Sequence, residues 1–271
     1  MARIRPIFKW PGGKYRLLDA ILTELPPGVR LVEPFVGSGA VFMNSDYPAY
    51  LLCDLNVDLI GFYEALAERG EGLVDECRGA FAGRNSPEDF YECRERFNSL
   101  PPGRERAVLF LYLNRHGYNG LIRYNSRGEY NVPFGRYARP YFPEREMLAF
   151  IGKTRAARVE FLAGDFRRSF EEIRAGDSVY CDPPYIPLSD TANFTSYAGN
   201  SFGAAEQAEL ARLAERAARG GARVVVSNHD TPVSRELYAR AVRVRELSVR
   251  RSISCNGDKR GVVGELLAVY L

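Results

Sequence analysis

Residues 182–185 read Asp-Pro-Pro-Tyr and follow the apolar run Val179-Tyr180-Cys181. A buried strand that ends in an acid, two prolines and an aromatic ring builds a rigid cup with a ring in its wall. Proline fixes φ and has no N–H, so the carbonyls around Pro183 and Pro184 stay out of helix or ladder pairing and can accept from a ligand. Asp182 adds a second acceptor beside them. This pair of acceptors suits an exocyclic amino group on a planar base. Such a nitrogen has two N–H donors and a lone pair delocalised into the ring, which makes it a poor nucleophile. With one N–H on Asp182 and the other on the Pro183 carbonyl, the nitrogen is drawn toward tetrahedral geometry. Its lone pair is then freed in a defined direction, and Tyr185 can hold the ring by stacking. Four residues alone leave a plain strand-ending turn equally open.

A second motif lies upstream. Leu31-Val32-Glu33-Pro34-Phe35 reads as a buried strand running into Val36-Gly37-Ser38-Gly39-Ala40, where Gly37 and Gly39 permit close approach of backbone to a ligand. The next short strand, Tyr50-Leu51-Leu52-Cys53, ends in Asp54, the place where an open α/β sheet puts the acid that binds ribose hydroxyls. The third glycine of G-x-G-x-x-G is missing, so the loop does not suit a dinucleotide. At the N-terminus, Lys9-Trp10-Pro11-Gly12-Gly13-Lys14 precedes Leu17, Leu18, Ile21 and Leu22 at helical spacing. Unpaired N–H groups at that helix start, with Lys14 beside them, offer a seat to a carboxylate or phosphate. The G-x-x-x-x-G-K spacing of a Walker loop is absent.

The elements that must carry these motifs are legible at low resolution. Short apolar strands are expected near 30–35, 50–53, 159–162, 178–181 and 222–227, each followed by a loop and a helical pattern, which predicts a mainly parallel sheet. Val242–Val249 and Glu265–Leu271 read as a closing antiparallel pair. Between about 57 and 157 the pattern changes to successive helices near 57–68, 71–82, 87–98 and 104–116, with no strand between them. Leu121–Tyr124 and Glu129–Val132 flank Asn125-Ser126-Arg127-Gly128, which predicts a β-hairpin.

Composition narrows the class without selecting a function. With 271 residues, 46% hydrophobic and 26% charged, the chain has material for one full α/β domain and an insertion. It has neither an N-terminal apolar segment of the secretory kind nor a run of about eighteen apolar residues, so neither export nor membrane insertion is expected, and a cytoplasmic location follows. Cys53, Cys77, Cys93, Cys181 and Cys255 are scattered and lack C-x-x-C spacing, which fits reduced thiols and gives neither a disulfide framework nor a zinc site. His116 and His229 have no metal-ligand spacing and read as structural. The chain ends soon after its last apolar run, so no tail for a further partner is expected.

Taken in order, K-W-P-G-G-K, E-P-F-V-G-S-G and D-P-P-Y resemble the DNA adenine-N6 methyltransferases, and within them the Dam family. The stretch from Ala107 to Pro143 resembles that family's recognition region. Thr191-Ala192-Asn193-Phe194-Thr195, Ser227-Asn228-His229-Asp230 and Arg250-Arg251-Ser252-Ile253-Ser254 resemble its later segments, so nearly the whole chain is covered.

The resemblance implies a Rossmann-like methyltransferase sheet from 1–56 and 158–271, with a mainly helical target-recognition insert at 57–157. It implies S-adenosylmethionine as donor, no metal, and duplex DNA as partner of a monomeric enzyme acting at the nucleoid. Asp54 would take the ribose hydroxyls, Phe35, Gly37 and Gly39 the pocket floor, and Trp10, Gly12 and Lys14 the methionine end. Asp165 and Phe166 would meet the adenine moiety, and Asp182 would touch both substrates. Asp182, Pro183 and Tyr185 would receive the target adenine, flipped out of the duplex at a cost of a few kcal/mol.

The family's base-reading arginine matches Arg123, a contact worth roughly 1–3 kcal/mol when bidentate to guanine. Leu121 and Pro133 match its apolar base contacts, Lys9 the contact to the other guanine, and Tyr118 with Asn119 the wedge beside the flipped base. Arg136 and Tyr137 complete the DNA-facing set, and GATC is the implied site. Charge agrees locally. The whole chain carries only +3, but residues 104–158 hold eleven Lys or Arg against four Glu, interleaved with tyrosines and asparagines. Adenine methylation in RNA, glutamine methylation in proteins and a catalytically silent DNA-binding protein remain as rivals. Mismatch repair, replication timing and restriction-modification would all use the same site.

Overall fold

The computed structural model describes residues 3–186, 202–250 and 262–271. The segments at 191–195 and 251–254 that the resemblance singles out therefore lie outside the described residues, as does Cys255. Among the described residues a short 3₁₀ turn, Lys14–Leu17, leads into α1 (Leu18–Glu24). There follow β1 (Arg30–Glu33), α2 (Ala40–Asn44), β2 (Ala49–Asp54), α3 (Val57–Arg69), α4 (Glu71–Phe81), α5 (Pro87–Ser99), α6 (Arg104–His116) and α7 (Glu144–Ala156). The second half runs β3 (Arg158–Ala163), α8 (Phe166–Glu171), β4 (Asp177–Cys181), α9 (Ala204–Arg219), β5 (Arg223–His229), α10 (Pro232–Leu237), β6 (Arg243–Arg250) and β7 (Val262–Tyr270).

One sheet of seven strands results, in the order β3-β2-β1-β4-β5-β7-β6. The first five are parallel, and β7 runs antiparallel between β5 and β6. Central strands of a sheet covered on both faces read as near-continuous apolar runs; all five residues of β4 are buried, Val179-Tyr180-Cys181 apolar and Asp177 paired with Arg30. Side chains alternate between the faces. Leu31, Leu52 and Tyr180 join the core beneath α3 to α7, whereas Val32, Leu51, Val179 and Cys181 join a second core with Phe166, Phe170, Leu210 and Tyr238. From β1 the chain winds outward to β2 and β3, and from β4 the other way to β5. The β1–β4 boundary is thus a topological switch point, where open α/β sheets bind ligands at the carboxyl ends of their strands. Asp182 and the Glu33-Pro34 turn both stand there.

The insert follows its local signals. Asn56 caps α3 by accepting from the backbone N–H groups of Asp58 and Leu59, and Ser86 with Asp89 forms a capping box ahead of α5, with Pro87 at its first position. Helix α7, at 144–156, went unread as an element of its own.

Two expectations need correction. β1 stops at Glu33 rather than running to Phe35, because Pro34 has no N–H to give the ladder. The hairpin is reduced to one antiparallel bridge, Tyr124 to Tyr130, flanked by hydrogen bonds from Asn125 N to Glu129 O and from Asn131 N to Arg123 O. Pairing stops where the Asn131 carbonyl accepts from the Arg123 guanidinium rather than from its N–H, and helix side chains hold the second segment from its outer edge. Asn98 of α5 hydrogen-bonds both the N–H and the carbonyl of Tyr130, and Arg94 donates to the Val132 carbonyl.

Candidate active site

The cup at the end of β4 is held from three sides. Ser227 of β5 donates its hydroxyl to Asp182 Oδ1 at 3.0 Å, and the Lys14 ammonium stands 2.8 Å from the same oxygen. Lys14 also donates to the Gly12 carbonyl and lies 4.4 Å above the centre of the Tyr185 ring. Tyr185 is pinned at its hydroxyl by Glu265 Oε2, 2.9 Å away, and His229 meets its ring edge to face at 4.7 Å. The two proline carbonyls differ. That of Pro184 already accepts from the Gln207 amide at 2.7 Å, and Gln207 is held by Asn228, itself bonded to Tyr238. Among the described residues the Pro183 carbonyl receives no hydrogen bond. Of the acceptors expected to be free, Pro183 O and Asp182 Oδ2 are the ones left for a ligand. Pro184 is a fixed part of the frame.

The glycine loop adjoins the cup. Gly37 and Gly39 both have left-handed backbone, at φ +47° and +69°, and a Cβ on Gly37 would lie 2.9 Å from Trp10 Nε1. Only glycine fits that position without strain. Asp54 Oδ2 accepts from Gly37 N–H and Oδ1 from Asn56 N–H, each at 2.9 Å, while burial pushes its carboxyl up from the ordinary value. Each oxygen keeps a second lone pair, which is what a pair of ribose hydroxyls needs. Phe35, Phe166 and Phe202 form a three-ring cluster, Phe35 stacked on Phe166 with centroids 5.3 Å apart. The Asp165 carboxylate is engaged locally, capping α8 and pairing with Arg167.

One cavity of about 1660 Å³ connects these groups. Its walls hold Trp10, Gly12, Lys14, Phe35, Gly37, Asp54, Asp165 and Phe166, together with Asp182, Pro183 and Tyr185 and with Lys9, Tyr118, Asn119 and Leu121. Gly39 is just behind the wall, facing Tyr63. Arg123, Pro133, Arg136 and Tyr137 lie outside the cavity but in the same neighbourhood. The Pro133 carbonyl accepts from Tyr118 N–H, Tyr137 stacks under the Lys9 ammonium at 3.6 Å, and Arg123 is held against Asn131. Tyr118 is half exposed. Arg136 has φ +53° and Asn119 φ +52°, left-handed conformations that a side chain rarely adopts.

The raw charge count of 104–158 overstates the field. Arg104, Arg106, Arg127, Arg155 and Arg158 are paired with carboxylates, most of them outside that stretch. Arg136, Arg139 and Arg145 carry no ion pair among the described residues.

Several residues at the site went unread. Glu33 sits in the cavity wall, buried, with Oε1 unpartnered, and burial pushes its carboxyl up to about 8. Its place in E-P-F-V-G-S-G was visible, but burial of an acid has no sequence signature. Ser227 and Asn228 lie in a segment singled out by resemblance, without a role. Gln207 and Glu265 gave no signal. His116 is structural as expected, stacked on Tyr112, but His229 reaches the cavity. Among the described residues, no cluster of side chains could hold a metal and no helix is long and apolar enough to cross a membrane. The four described cysteines are free and buried.

Comparison with known proteins places the chain. Residues 10–253 match the model of the D12 class N6 adenine-specific DNA methyltransferases. The DNA adenine methylases of Salmonella typhi and of Escherichia coli (strain K12) are each 50% identical over 271 residues, covering all of this chain and 96% of theirs. That of Serratia marcescens is 49% identical over the full length of both. With the seven-stranded sheet and the cup at its switch point, these matches show that the chain belongs to the D12 class of N6 adenine-specific DNA methyltransferases.

Proposed function

We propose that the enzyme moves a methyl group from S-adenosylmethionine to N6 of an adenine swung out of duplex DNA, within the sequence GATC. The observation that carries this reading is the pair of acceptors left open at the switch point, Asp182 Oδ2 and the Pro183 carbonyl, in a cavity that also contains Asp54 and the Gly37 loop. The donor fits the residues present. Gly37 gives the close backbone approach, Asp54 has lone pairs for two hydroxyls, and the Phe35–Phe166–Phe202 cluster offers an aromatic wall to a purine. When bound, S-adenosylmethionine supplies an electrophilic methyl on a sulfonium.

The protein's part is orientation and electrostatics. Asp182 and the Pro183 carbonyl accept hydrogen bonds from the two N6 hydrogens, so the nitrogen lone pair points along the one direction they leave open, and one N6 proton is shed to solvent once the methyl has transferred. Ser227 and Lys14 fix Asp182 through Oδ1 and leave Oδ2 to the substrate. Tyr185, pinned by Glu265, is the stacking surface. Lys14 covers one of its faces, so an arriving base uses the other or displaces that ammonium. Trp10, Gly12 and Lys14 border the methionine end.

Residues 57–157 act as the target-recognition region. Arg123 and Lys9 read guanines, Leu121 and Pro133 make apolar base contacts, Tyr118 with Asn119 fills the space of the flipped base, and Arg136 with Tyr137 borders the backbone. On this reading the protein works in the cytoplasm as a monomer. The deciding experiment incubates the purified enzyme with S-adenosylmethionine and unmethylated genomic DNA, then maps N6-methyladenine at single-base resolution. Methylation confined to GATC is the expected result. Methylation at a different motif keeps the chemistry and overturns the assignments of Arg123 and Lys9.

A further inference from the structure

We propose that Asn114 is a positioning residue that locks the base-reading Lys9 and the Tyr118–Gly120 turn into one unit, seated against the donor pocket. The inference rests on the preceding reading, in which Lys9 and Tyr118 face DNA. Asn114 lies in the last turn of α6 and is fully buried. Its Oδ1 accepts from the Lys9 backbone N–H at 3.0 Å, and its Nδ2 donates to the Lys9 carbonyl at 2.9 Å and to the Gly120 carbonyl at 3.0 Å. A primary amide has two N–H donors, and both are used on the backbone of other segments. Such a side chain sets where those segments stand relative to each other.

Steric fit tightens the same joint. Gly120 has φ +63°, and a Cβ built on it would fall 2.2 Å from Lys9 Cβ. The Lys9 side chain thus crosses the turn in direct contact and carries its ammonium to the Tyr137 ring and the Arg115 carbonyl. Burial and the nearby Arg115 charge hold the Lys9 ammonium below the usual lysine range. The next residue, Trp10, rests on Gly37 at the donor loop. A displacement of the Lys9 backbone would therefore disturb the reading side chain, the wedge turn and the cover of Gly37 together. Asn114 is the group that holds that backbone.

The test uses the full-length enzyme on the target duplex and on duplexes with each target base replaced in turn. It records kcat/KM for each, the melting temperature, and donor affinity by calorimetry. Lys9→Ala first defines the base pair that Lys9 reads. Asn114→Asp keeps the shape and the acceptor oxygen but turns a carboxylate oxygen on two carbonyls. It is expected to relax discrimination at the Lys9-defined base pair by roughly tenfold, the scale of one lost base contact. In the double variant with Lys9→Ala, discrimination there should fall no further than in Lys9→Ala alone. If Asn114→Asp does not fold, Gly120→Ala displaces Lys9 from the opposite side and should relax the same position. A folded Asn114→Asp or Gly120→Ala enzyme that is slower on every duplex by the same factor, with discrimination intact, overturns the positioning role. If Lys9→Ala itself alters no base preference, the reading of Lys9 falls and this inference falls with it.

Discussion

The cup at the end of β4 and the turn after α6 face the same cavity but are held at different points. The cup is fixed largely by side chains from packed elements: Ser227 and Lys14 on Asp182, Glu265 on Tyr185, and a buried Gln207–Asn228–Tyr238 chain behind Pro184. The turn is fixed by side-chain amides gripping its backbone, Asn114 on Lys9 and Gly120, and Asn98 on Tyr130. Tyr118 and Asn119 are left exposed while Tyr130 is buried, and Asn119 and Gly120 bend into left-handed backbone. A nitrogen must be met by acceptors to within a fraction of an ångström, which sheet ends deliver best. In the turn it is the backbone that is anchored, and Tyr118 and Asn119 project from it.

The largest effect is expected at the cup. Asp182→Ala removes an acceptor with no substitute nearby and should lower turnover by about a hundredfold or more, by analogy with loss of a single transition-state partner. Duplex affinity should stay within a few-fold of wild type. Single-turnover kinetics and fluorescence binding measure the two, and a variant that keeps most of its turnover breaks the assignment of Asp182.

A second test concerns Glu33, whose carboxyl is raised from 4.5 to about 8 mainly by burial. Below the unfolded value the group is neutral in both states and costs nothing. Between about 4.5 and about 8 the unfolded chain ionises while the folded one does not, so stability declines as pH rises, and above that it levels off. The accumulated loss is of order 5 kcal/mol. Glu33→Gln should flatten this decline, read by thermal denaturation across pH 5 to 9. A variant with the same pH dependence as wild type removes Glu33 from the account.

The reading side offers smaller effects. Arg123→Ala should cost about 1–3 kcal/mol of discrimination at one base pair while lowering affinity for unrelated DNA little. Uniform weakening on every sequence would instead make Arg123 a phosphate contact. Arg136→Gly should raise stability by about 1 kcal/mol through release of left-handed strain and weaken DNA binding evenly, removing about one unit from the salt dependence. If the melting temperature falls instead, the strain at Arg136 is not what the fold tolerates for function.

Much of the frame was legible, because strand and helix periods, proline breaks and glycine turns are local properties. The strand end before Asp182 and the four insert helices are examples. The hairpin between Leu121 and Val132 is shorter than its turn residues suggest, because the Asn131 carbonyl that a longer ladder would pair with the Arg123 N–H accepts from the Arg123 guanidinium instead, while Asn98 and Arg94 hold the outward-facing groups of Tyr130 and Val132. Charge was over-read for a similar reason. An arginine such as Arg106 counts as basic in the sequence, yet in the fold it is neutralised by Asp58, 48 residues away.

By itself the sequence determined the chemistry that could be done: the Asp-Pro-Pro-Tyr strand end, the glycine loop before Asp54, and the family whose motifs these are. Those features depend on residue type and near neighbours. The tertiary structure decided which atoms are open to do it. Whether Pro183 or Pro184 keeps a free carbonyl depends on where Gln207 arrives from α9. Whether Glu33 carries a proton depends on how completely the two cores close over it. Where the Lys9 backbone stands depends on a single amide on α6, 105 residues away in the chain. Each is a matter of burial or of a long-range hydrogen bond, set only when the elements pack.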